Sequence, residues 1–502
     1  MSGALHSRRG PTRLRGLTGR GPKRALLSHA RTITSRWLRG TAPALLAAAL
    51  LAGCMPAHRA APAQAAVSAP SQWLVQPGDA RQGDAIQSQW WRRFGDPALV
   101  QVVEAALAHN TQIGMAAARV DAARAQLDLA DAARTPALSA VLGGKGEHTL
   151  TMAGITTSRA AQPQLQLNWE VDLWGRLRAQ TQAAKAQWAA TQAERDGVAL
   201  AVAAQTTQAY IGLLALDAQL VQTRATASSR AEALRLAQDK ARLGYGSQLQ
   251  LAQAEAEFET VQQALPQLEL AVARQHNALS LLVGELPSLP AADAVAQGAA
   301  RFAALQLPAV PATLPSQLLR RRPDLAQAEQ TLAASDATLA ARRAAFLPQV
   351  SLSAGLGGLY ANALGYNPIK VWSLGGSVLA PLFDGGRLNA QHDVAVAQRD
   401  QAAFAYRGAA LAAFGEVENA LVGVDRLAQQ VQHAGQRRAI LQRSVGYARD
   451  RYESGYAPYL EQLDAQRSLY QTEIELIRLR ETQLDNALAL YKALGGGWGP
   501  AG

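Results

Sequence analysis

The stretch QLQLNWEVDLW, residues 164–174, alternates polar and apolar side chains. Its apolar positions of one parity are Leu165, Leu167, Trp169, Val171 and Leu173. Successive side chains of a β-strand point to opposite faces, so the pattern predicts a strand with one apolar and one polar face. A tilted strand of about 9 to 11 residues crosses a lipid bilayer. The alternative is a half-buried strand of a soluble β-sandwich.

The chain contains two copies of one unit. The sequence WGRLRAQ at Trp174 returns as GGRLNAQ at Gly385, and LGYGSQLQLAQAE at Leu243 returns as SGYAPYLEQLDAQ at Ser454, each 211 residues later. A similar offset of 212 to 214 residues relates ARTPALSAVLGG, which ends at Gly144, to AAFLPQVSLSAGLGG, which ends at Gly358. A nearly constant offset at three places indicates a duplicated structural unit. We therefore predict a first repeat over 97–286, a Pro-rich linker over 287–315, a second repeat over 316–494 and a tail over 495–502.

The duplication predicts four strands. In the second repeat the alternation is less regular, with one parity held by Trp372, Leu374, Val378, Ala380 and Leu382. Each alternating strand has a partner before it, near Leu138 to Gly146 and near Val350 to Leu359. A four-stranded sheet has two open edges, and lipid cannot satisfy the hydrogen bonds of an edge. If these strands lie in a membrane, copies of the chain must therefore join, and three copies give twelve strands, within the range of bacterial barrels.

Long helices follow the strands. No proline occurs between Pro163 and Pro266 or between Pro381 and Pro458, and both stretches are rich in helix-forming residues. Each predicted helix has about 68 residues, or roughly 100 Å at 1.5 Å per residue. Shorter helices are predicted to return from the turns, over Gln248 to Val283 and Tyr459 to Leu494, and others to enter the strands, over about Pro97 to Thr135 and Ser316 to Phe346. A returning helix stacked on an entering helix matches the length of one long helix, and the apolar spacing suits coiled-coil packing.

The N-terminal region predicts a lipoprotein signal over residues 1–53. Ten basic residues and no acidic residue precede an apolar run, Ala42 to Gly53, which is too short to span a bilayer. Leu51-Ala52-Gly53-Cys54 matches the bacterial lipobox, in which the cysteine sulfur takes a diacylglyceride, the chain is cut before the cysteine, and the new amino group is acylated. Cys54 is the single cysteine of the chain, so no internal disulfide or thiolate metal cage is available to it. We expect lipidation at Cys54, an N-terminal extension over 54–96, and delivery to the outer membrane, because Met55 stands where inner-membrane retention favours Asp.

Removal of the signal changes the charge of the chain. The whole sequence carries a formal charge of +11, with 49 basic and 38 acidic residues. Residues 1–53 hold ten of the basic residues, which leaves 39 against 38 in the mature chain. A nucleic-acid partner is therefore not expected, because phosphate binding requires a basic patch.

Four motifs resemble those of one family. They are LPSQLLRRRPDLAQAEQTLAAS at Leu314, PLFDGGRLNAQ at Pro381, YLEQLDAQRSLYQTE at Tyr459 and NALALYKALGGGW at Asn486. They are similar to signature stretches of TolC-like outer-membrane efflux channels, in particular the lipoprotein branch that works with resistance-nodulation-division pumps. The resemblance runs from about Trp90 to Trp498. It implies an α+β membrane channel: a homotrimer with a twelve-stranded transmembrane β-barrel, four strands per chain, above a long α-helical coiled-coil barrel in the periplasm.

The same resemblance implies the partners. They are outer-membrane lipid, a periplasmic adaptor protein and an inner-membrane resistance-nodulation-division pump, with the Pro-rich linker in the equatorial region of the tunnel. The channel is expected to conduct drugs or other small molecules passively, while the pump supplies energy. Two alternatives stay open: an outer-membrane channel for type I protein or peptide secretion, and a periplasmic coiled-coil scaffold lipoprotein.

The turn between the last two helices holds the candidate site. In RYESGYAPYLEQLDAQ, residues 451–466, the resemblance aligns five positions with a closed periplasmic aperture: Arg451, Tyr452, Leu460, Glu461 and Asp464. Glu461 and Asp464 are three residues apart and so share one face of a helix. Three-fold symmetry would turn each into a ring of carboxylates that binds cations and forms part of a gate. The alternative is that both carboxylates lie on a solvated helix face.

One position of this turn departs from the family. Ala457 stands where some relatives place an Arg that bonds across the tip. We therefore expect that contact to be missing or to be supplied by Arg451.

Enzymes are disfavoured by the absence of their motifs from the sequence. The six histidines after residue 53 are not in H-E-x-x-H or another ligand spacing, and there is no G-x-S-x-G and no P-loop. We predict no catalytic residue, no metal site and no cofactor. The charged stretch Arg321-Arg322-Pro323-Asp324 is interpreted as a helix entry or kink, because Pro suits a first helical turn and disfavours helix in the residue before it.

Overall fold

The computed structural model describes residues 60–75, 88–152, 154–288, 293–311, 315–362 and 368–497. Cys54 and the predicted signal over 1–53 lie outside the described residues. The first repeat contains α1 (Pro97–His109), α2 (Thr111–Ala132), β1 (Ala137–Thr151), β2 (Gly154–Val171), α3 (Arg176–Arg242) and α4 (Gln248–Val283). After α5 (Ala294–Ala304), the second contains α6 (Pro315–Arg321), α7 (Pro323–Ala344), β3 (Gln349–Ala361), β4 (Ile369–Leu379), α8 (Arg387–Glu453) and α9 (Tyr459–Ala493).

The four predicted strands form one antiparallel sheet in the order β1-β2-β3-β4. The register of the strands aligns apolar residues on one face of the sheet and polar or small residues on the other, as the alternation predicts. Leu165 lies opposite Leu356, and Leu356 lies opposite Trp372, so an apolar row crosses the sheet. The adjacent row, on the other face, is polar or small and consists of Ser139, Gln166, Gly355 and Ser373. The apolar face is open: Leu356 is 63% exposed and Trp372 is 75% exposed.

The first two strands are longer than predicted. β1 has 15 residues and β2 has 18, and their pairing continues as far as Thr151 opposite Gly154. The prediction of about 9 to 11 residues was wrong for this hairpin because its outer part is polar and carries no apolar alternation. There the strands are held by backbone pairing and by contacts such as His148 Nδ1 with Thr157 Oγ1 at 2.7 Å.

An aspartate directs each strand pair into its long helix. Asp172 accepts hydrogen bonds from the backbone N–H groups of Leu177 and Arg178 at 3.0 and 2.9 Å. In the second repeat Asp384 accepts from Gly386 and Leu388 at 3.0 and 2.8 Å. Both carboxylates satisfy donors that the first helical turn leaves free and lie favourably at the positive end of the helix dipole.

The long helices are confirmed. α3 and α8 have 67 residues each, which gives about 100 Å at 1.5 Å per residue. α3 packs against α2 and α7, and also against α4 and α9. Among the described residues, α3 alone has the length and hydropathy to cross a membrane, but half of its most apolar 18-residue segment is buried inside the protein. Burial against other helices therefore accounts for its apolar composition.

Each predicted entering helix is broken: the break at Arg322 is the helix entry that Arg321-Arg322-Pro323-Asp324 predicts, whereas the break at Asn110 is contrary to the predicted continuous helix. The breaks lie at Asn110 and Arg322. Asn110 caps α2 by accepting from Gln112 N at 2.9 Å, and its Nδ2 donates to Leu282 O at 2.8 Å. Arg322 precedes Pro323 and donates from Nη1 to Ala493 O at 3.0 Å. Each break thus holds the end of a returning helix, which joins α4 to α2 and α9 to α7 as the stacking prediction requires.

The main hydrophobic core lies beside the middle of α3. Trp90, Phe94 and Leu99 are fully buried there against Ile211 and its neighbours. α5, which the linker prediction did not include, adds Phe302 to this core. Its Gly298 lies against the carboxylate of Asp217 so closely that a Cβ would overlap it. The region over 287–315 therefore contains a packed helix in addition to its Pro-rich parts.

The segment 60–75 follows the surface of α8. Arg399 Nη2 donates to Ala60 O at 3.2 Å, and Leu74 N donates to Glu418 Oε1 at 2.8 Å. Between these points Trp73 packs on Phe414, with ring centroids 6.2 Å apart. The segment and α8 run in the same direction, so its N-terminal end lies toward the strands.

Candidate functional site

Two helical turns of the same design form the tips of the long hairpins. Gly244 and Gly455 have φ angles of +78° and +75°, which glycine adopts without strain. The N–H group of Tyr245 donates to Lys240 O at 2.9 Å, and that of Tyr456 donates to Arg451 O at 2.8 Å. Because these bonds close the ends of α3 and α8 tightly, the side chains of both tyrosines extend beyond the helices and are exposed.

The predicted aperture carboxylates each face an arginine of their own chain. Glu461 Oε1 lies 3.5 Å from Arg451 Nε, across the turn between α8 and α9. Asp464 Oδ1 lies 3.3 Å from Arg467 Nη1, one turn further along α9. All four side chains are at least 40% exposed, so each pair contributes little to stability, about 0–1 kcal/mol. The structure therefore brings Arg451 to Glu461, in place of the bond that Ala457 cannot make.

Tyr452 and Leu460 have different surroundings. Lys240 Nζ lies 4.9 Å from the centroid of the Tyr452 ring, a cation–π contact that joins α3 to α8. The other neighbour of this ring is Tyr459, at a centroid distance of 5.5 Å. Burial raises the pKa of Tyr459, whose hydroxyl has no hydrogen-bond partner among the described residues. Leu460 is 44% exposed, so its side chain is available to contact another copy or to narrow a pore.

A buried ionic cluster above the tips joins the two hairpins, and sequence reasoning missed it. Glu257 of α4 accepts from Arg467 Nε of α9 at 2.8 Å, and its Oε2 lies 3.9 Å from Arg230 Nε of α3. Arg230 also donates to Gln466 of α9. Burial lowers the pKa of Arg230, while the hydrogen bond with Glu257 raises that of Arg467. We call Arg230, Glu257, Gln466 and Arg467 the hairpin link.

Only a contact beside this link, between Asp464 and Arg467, was predictable from the sequence. Asp464 and Arg467 are three residues apart, which predicts that they meet on one helix face. Glu257 and Arg467 are 210 residues apart, so no local spacing relates them. Among the described residues, no group of three or more His, Cys, Asp or Glu could hold a metal ion.

Comparison with known proteins identifies the family. A family model described as outer membrane efflux protein matches residues 102–285 and 314–496. The chain belongs to the outer membrane efflux protein family. The predicted family and membrane-channel fold are thereby confirmed, and this efflux protein is an outer-membrane component of an efflux system.

Individual relatives cover nearly the whole efflux protein. Pyoverdine export outer membrane protein OpmQ of Pseudomonas aeruginosa is 32% identical over 464 residues, which cover 90% of this chain and 96% of OpmQ. Cation efflux system protein CusC of Escherichia coli is 31% identical over 437 residues, 86% of this chain and 94% of CusC. The solved structure of the outer-membrane channel OprN has a TM-score of 0.79 at 26% identity and covers 89% of this chain and 99% of OprN.

Proposed function

We propose that three copies of this chain form a passive, water-filled conduit that carries small molecules across the outer membrane. The observation that carries the proposal is the sheet, with one apolar and one polar face. Among the described residues, β1 and β4 each pair with a strand on one side only. Joining β4 of one copy to β1 of the next closes the ring, satisfies the edge hydrogen bonds, turns the apolar face to lipid and leaves the polar face around water.

The helices support the same assembly. The helical layer next to the sheet follows the order α2, α3, α7, α8, so α2 and α8 are its edges. Both edges expose large apolar side chains: Met115 and Leu129 on α2, and Phe404 and Leu411 on α8. Contact between α8 of one copy and α2 of the next would bury these side chains, each of which gains about 1.5–3 kcal/mol when fully removed from water.

The helical tips form the gate of this conduit in the proposal. Arg451, Tyr452, Leu460, Glu461 and Asp464 surround the narrow end, and the hairpin link holds the α8–α9 pair against the α3–α4 pair. Opening requires these pairs to separate, so the hairpin link favours the closed state. The arginine beside each carboxylate reduces the negative charge that a passing cation meets.

The proposed partners are a periplasmic adaptor and an inner-membrane resistance-nodulation-division pump. A passive conduit has no energy source of its own, so directional export requires a pump at its periplasmic end. No enzyme activity is expected of the chain. The names of OpmQ and CusC, which refer to pyoverdine export and cation efflux, favour small-molecule cargo over secreted protein.

Lipidation of Cys54 fits the position of the segment 60–75. Ala60 is bonded to Arg399, which is twelve residues, or about 18 Å, from the strand end of α8. The six residues from Cys54 to Ala60 span at most about 20 Å. An acyl chain on Cys54 is therefore within reach of the level at which the helices meet the strands, where the proposal places the membrane surface.

Cross-linking tests the assembly directly. Ser139 of β1 and Ser377 of β4 lie on the polar face at opposite edges of the sheet, roughly 20 Å apart, from three strand spacings of about 4.8 Å and four residues of about 3.3 Å along β4. That distance excludes a disulfide within one chain. We expect Ser139→Cys with Ser377→Cys, treated with a short bismaleimide, to yield covalent dimers and trimers that still conduct in planar bilayers. A monomeric, non-conducting species in detergent would refute the proposal.

A further inference from the structure

A large cavity opens on the face of α3 that points away from the hydrophobic core. Its volume is about 1000 Å³, at the upper end of the range for pockets that hold drug-sized ligands. Gln208, Gly212 and Leu216 follow one another at helical spacing along its floor. Tyr210 and Leu214 of the same helix point to the opposite, buried side, toward α1 and α5. α4 and α9 form two walls, and the start of α2 also lines the cavity, through Asn110, Thr111 and Gln112.

Two carboxylates from the α9 wall line this cavity. Glu481 and Asp485 are one helical turn apart. Burial raises the pKa of Glu481 to about 7, with the charge of Asp485 adding to the shift and Arg478 opposing it. Burial also raises the pKa of Asp485 to about 6, against a hydrogen bond with Gln208. Oδ1 of Asp485 is buried and has no hydrogen-bond partner among the described residues, so a cation placed here would find negative charge that the protein leaves poorly compensated.

The remaining lining combines amides with apolar groups. Gln275 Nε2 donates to Ala209 O at 2.8 Å, which fixes the α4 wall to the floor. A Cβ on Gly212 would lie 3.3 Å from this nitrogen and 3.5 Å from Glu481 Oε1. The glycine thus lets side chains from both walls converge above α3. Leu216 and Leu282 add apolar surface to the same cavity.

The second repeat shows which of these features the scaffold requires. Gly423 and Asn486 reproduce the glycine and the amide, and Asn486 Nδ2 donates to Ala420 O at 2.9 Å. The carboxylates are not reproduced: Leu270 and Arg274 stand 211 residues before Glu481 and Asp485. The duplicated architecture therefore forms without this acidic pair, and packing alone does not explain its presence.

We propose that this cavity binds drug-sized organic cations, with Glu481 and Asp485 holding the cationic group and Leu216 and Leu282 contacting the apolar part. The inference rests on the proposed function and adds that the face of α3 pointing away from the hydrophobic core lines the water-filled conduit. A cation that passes through the conduit would bind transiently at this site in the wall, above the gate.

Ethidium, a permanent cation with a flat apolar body, is the probe. Its fluorescence anisotropy is measured against the purified full-length protein in detergent at pH 7.5. We expect Glu481→Gln with Asp485→Asn to weaken ethidium binding by at least about tenfold, or about 1.4 kcal/mol, because both substitutions remove a negative charge that faces the bound cation. The control, Glu232→Gln with Asp425→Asn, removes two exposed carboxylates of the same kinds and should change binding by less than about twofold.

A pH series provides a second measurement on the unmodified protein. The third titratable side chain among the described lining residues is Glu285, and Arg478 lies beside Glu481. Ionisation of the acidic pair should strengthen ethidium binding as the pH rises from about 5.5 to about 8, and the double variant should lose this dependence. Equal affinity of wild type and double variant, or a flat pH series, overturns the inference.

Conductance of the same preparations separates the two proposals. If the wild type conducts in planar bilayers and only the ethidium results fail, the cation site is refuted and the proposed function stands. If the wild type does not conduct, the proposed function itself is refuted.

Discussion

Replacing Glu257 by Gln tests whether the hairpin link holds the conduit closed. Glu257 is 7% exposed and lies between Arg467 of α9 and Arg230 of α3. Gln keeps the shape of the side chain and removes its charge. The change weakens a charge-assisted hydrogen bond, worth about 1.5–3 kcal/mol, and leaves the buried Arg230 without a carboxylate.

The expected effect on opening follows from this energy. If the bond exists only while the hairpins are together, a loss of about 2 kcal/mol per chain raises the ratio of open to closed hairpins in each chain by about 30-fold, since about 1.4 kcal/mol is a factor of ten. Single-channel recording in planar bilayers should show a larger open probability and longer open times.

The matched control is Glu475→Gln on α9, the helix that carries Arg467. Glu475 lies 3.1 Å from Arg437 of α8, and both side chains are more than half exposed. An exposed pair contributes less than about 1 kcal/mol and does not join the two hairpins, so the open probability should change by less than about fivefold. The reasoning is refuted if Glu257→Gln lowers the melting temperature while open probability stays at the wild-type value, because the link would then stabilise both states equally.

Three further variants test the tip and the core. Glu461→Ala with Asp464→Ala should raise single-channel conductance and weaken block by divalent cations, and unchanged conductance would remove these residues from the aperture. Leu463→Ala, at a fully buried position between the hairpins, should cost about 2–5 kcal/mol, measured as a lower denaturant midpoint; a loss below about 1 kcal/mol would contradict the packing. Burial raises the pKa of Asp217 to about 7. The contribution of Asp217 to the free energy of unfolding should therefore be greatest below the pKa of an unfolded aspartate, near 4, and should be lost as the pH rises through 7. Asp217→Asn should flatten that unfolding curve, and an unchanged slope would show that Asp217 is not its source.

Much of the fold was predictable because it is encoded over short distances. Alternation over 164–174 predicts the two faces of the sheet, and helix-forming residues without proline predict α3 and α8 to within a few residues. Pro323 likewise predicts the helix entry after Arg322, but the break at Asn110 was not predictable in the same way. Asn110 ends one helix and caps the next in partnership with Leu282, a residue 172 positions away. The aperture residues came from family resemblance, and the structure adds their arginine partners.

The sequence by itself determined the duplication, the length of the helices and the two-faced strands, since each of these depends on periodicity within one segment. Only the tertiary structure decided which side chains meet between segments: Glu257 with Arg467, Lys240 with Tyr452, and the convergence of Gln275 and Glu481 over Gly212. The physical reason is that hydrogen bonds and ion pairs act over a few ångströms in space, whereas the chain brings such partners together from some 200 residues apart only after both hairpins have packed.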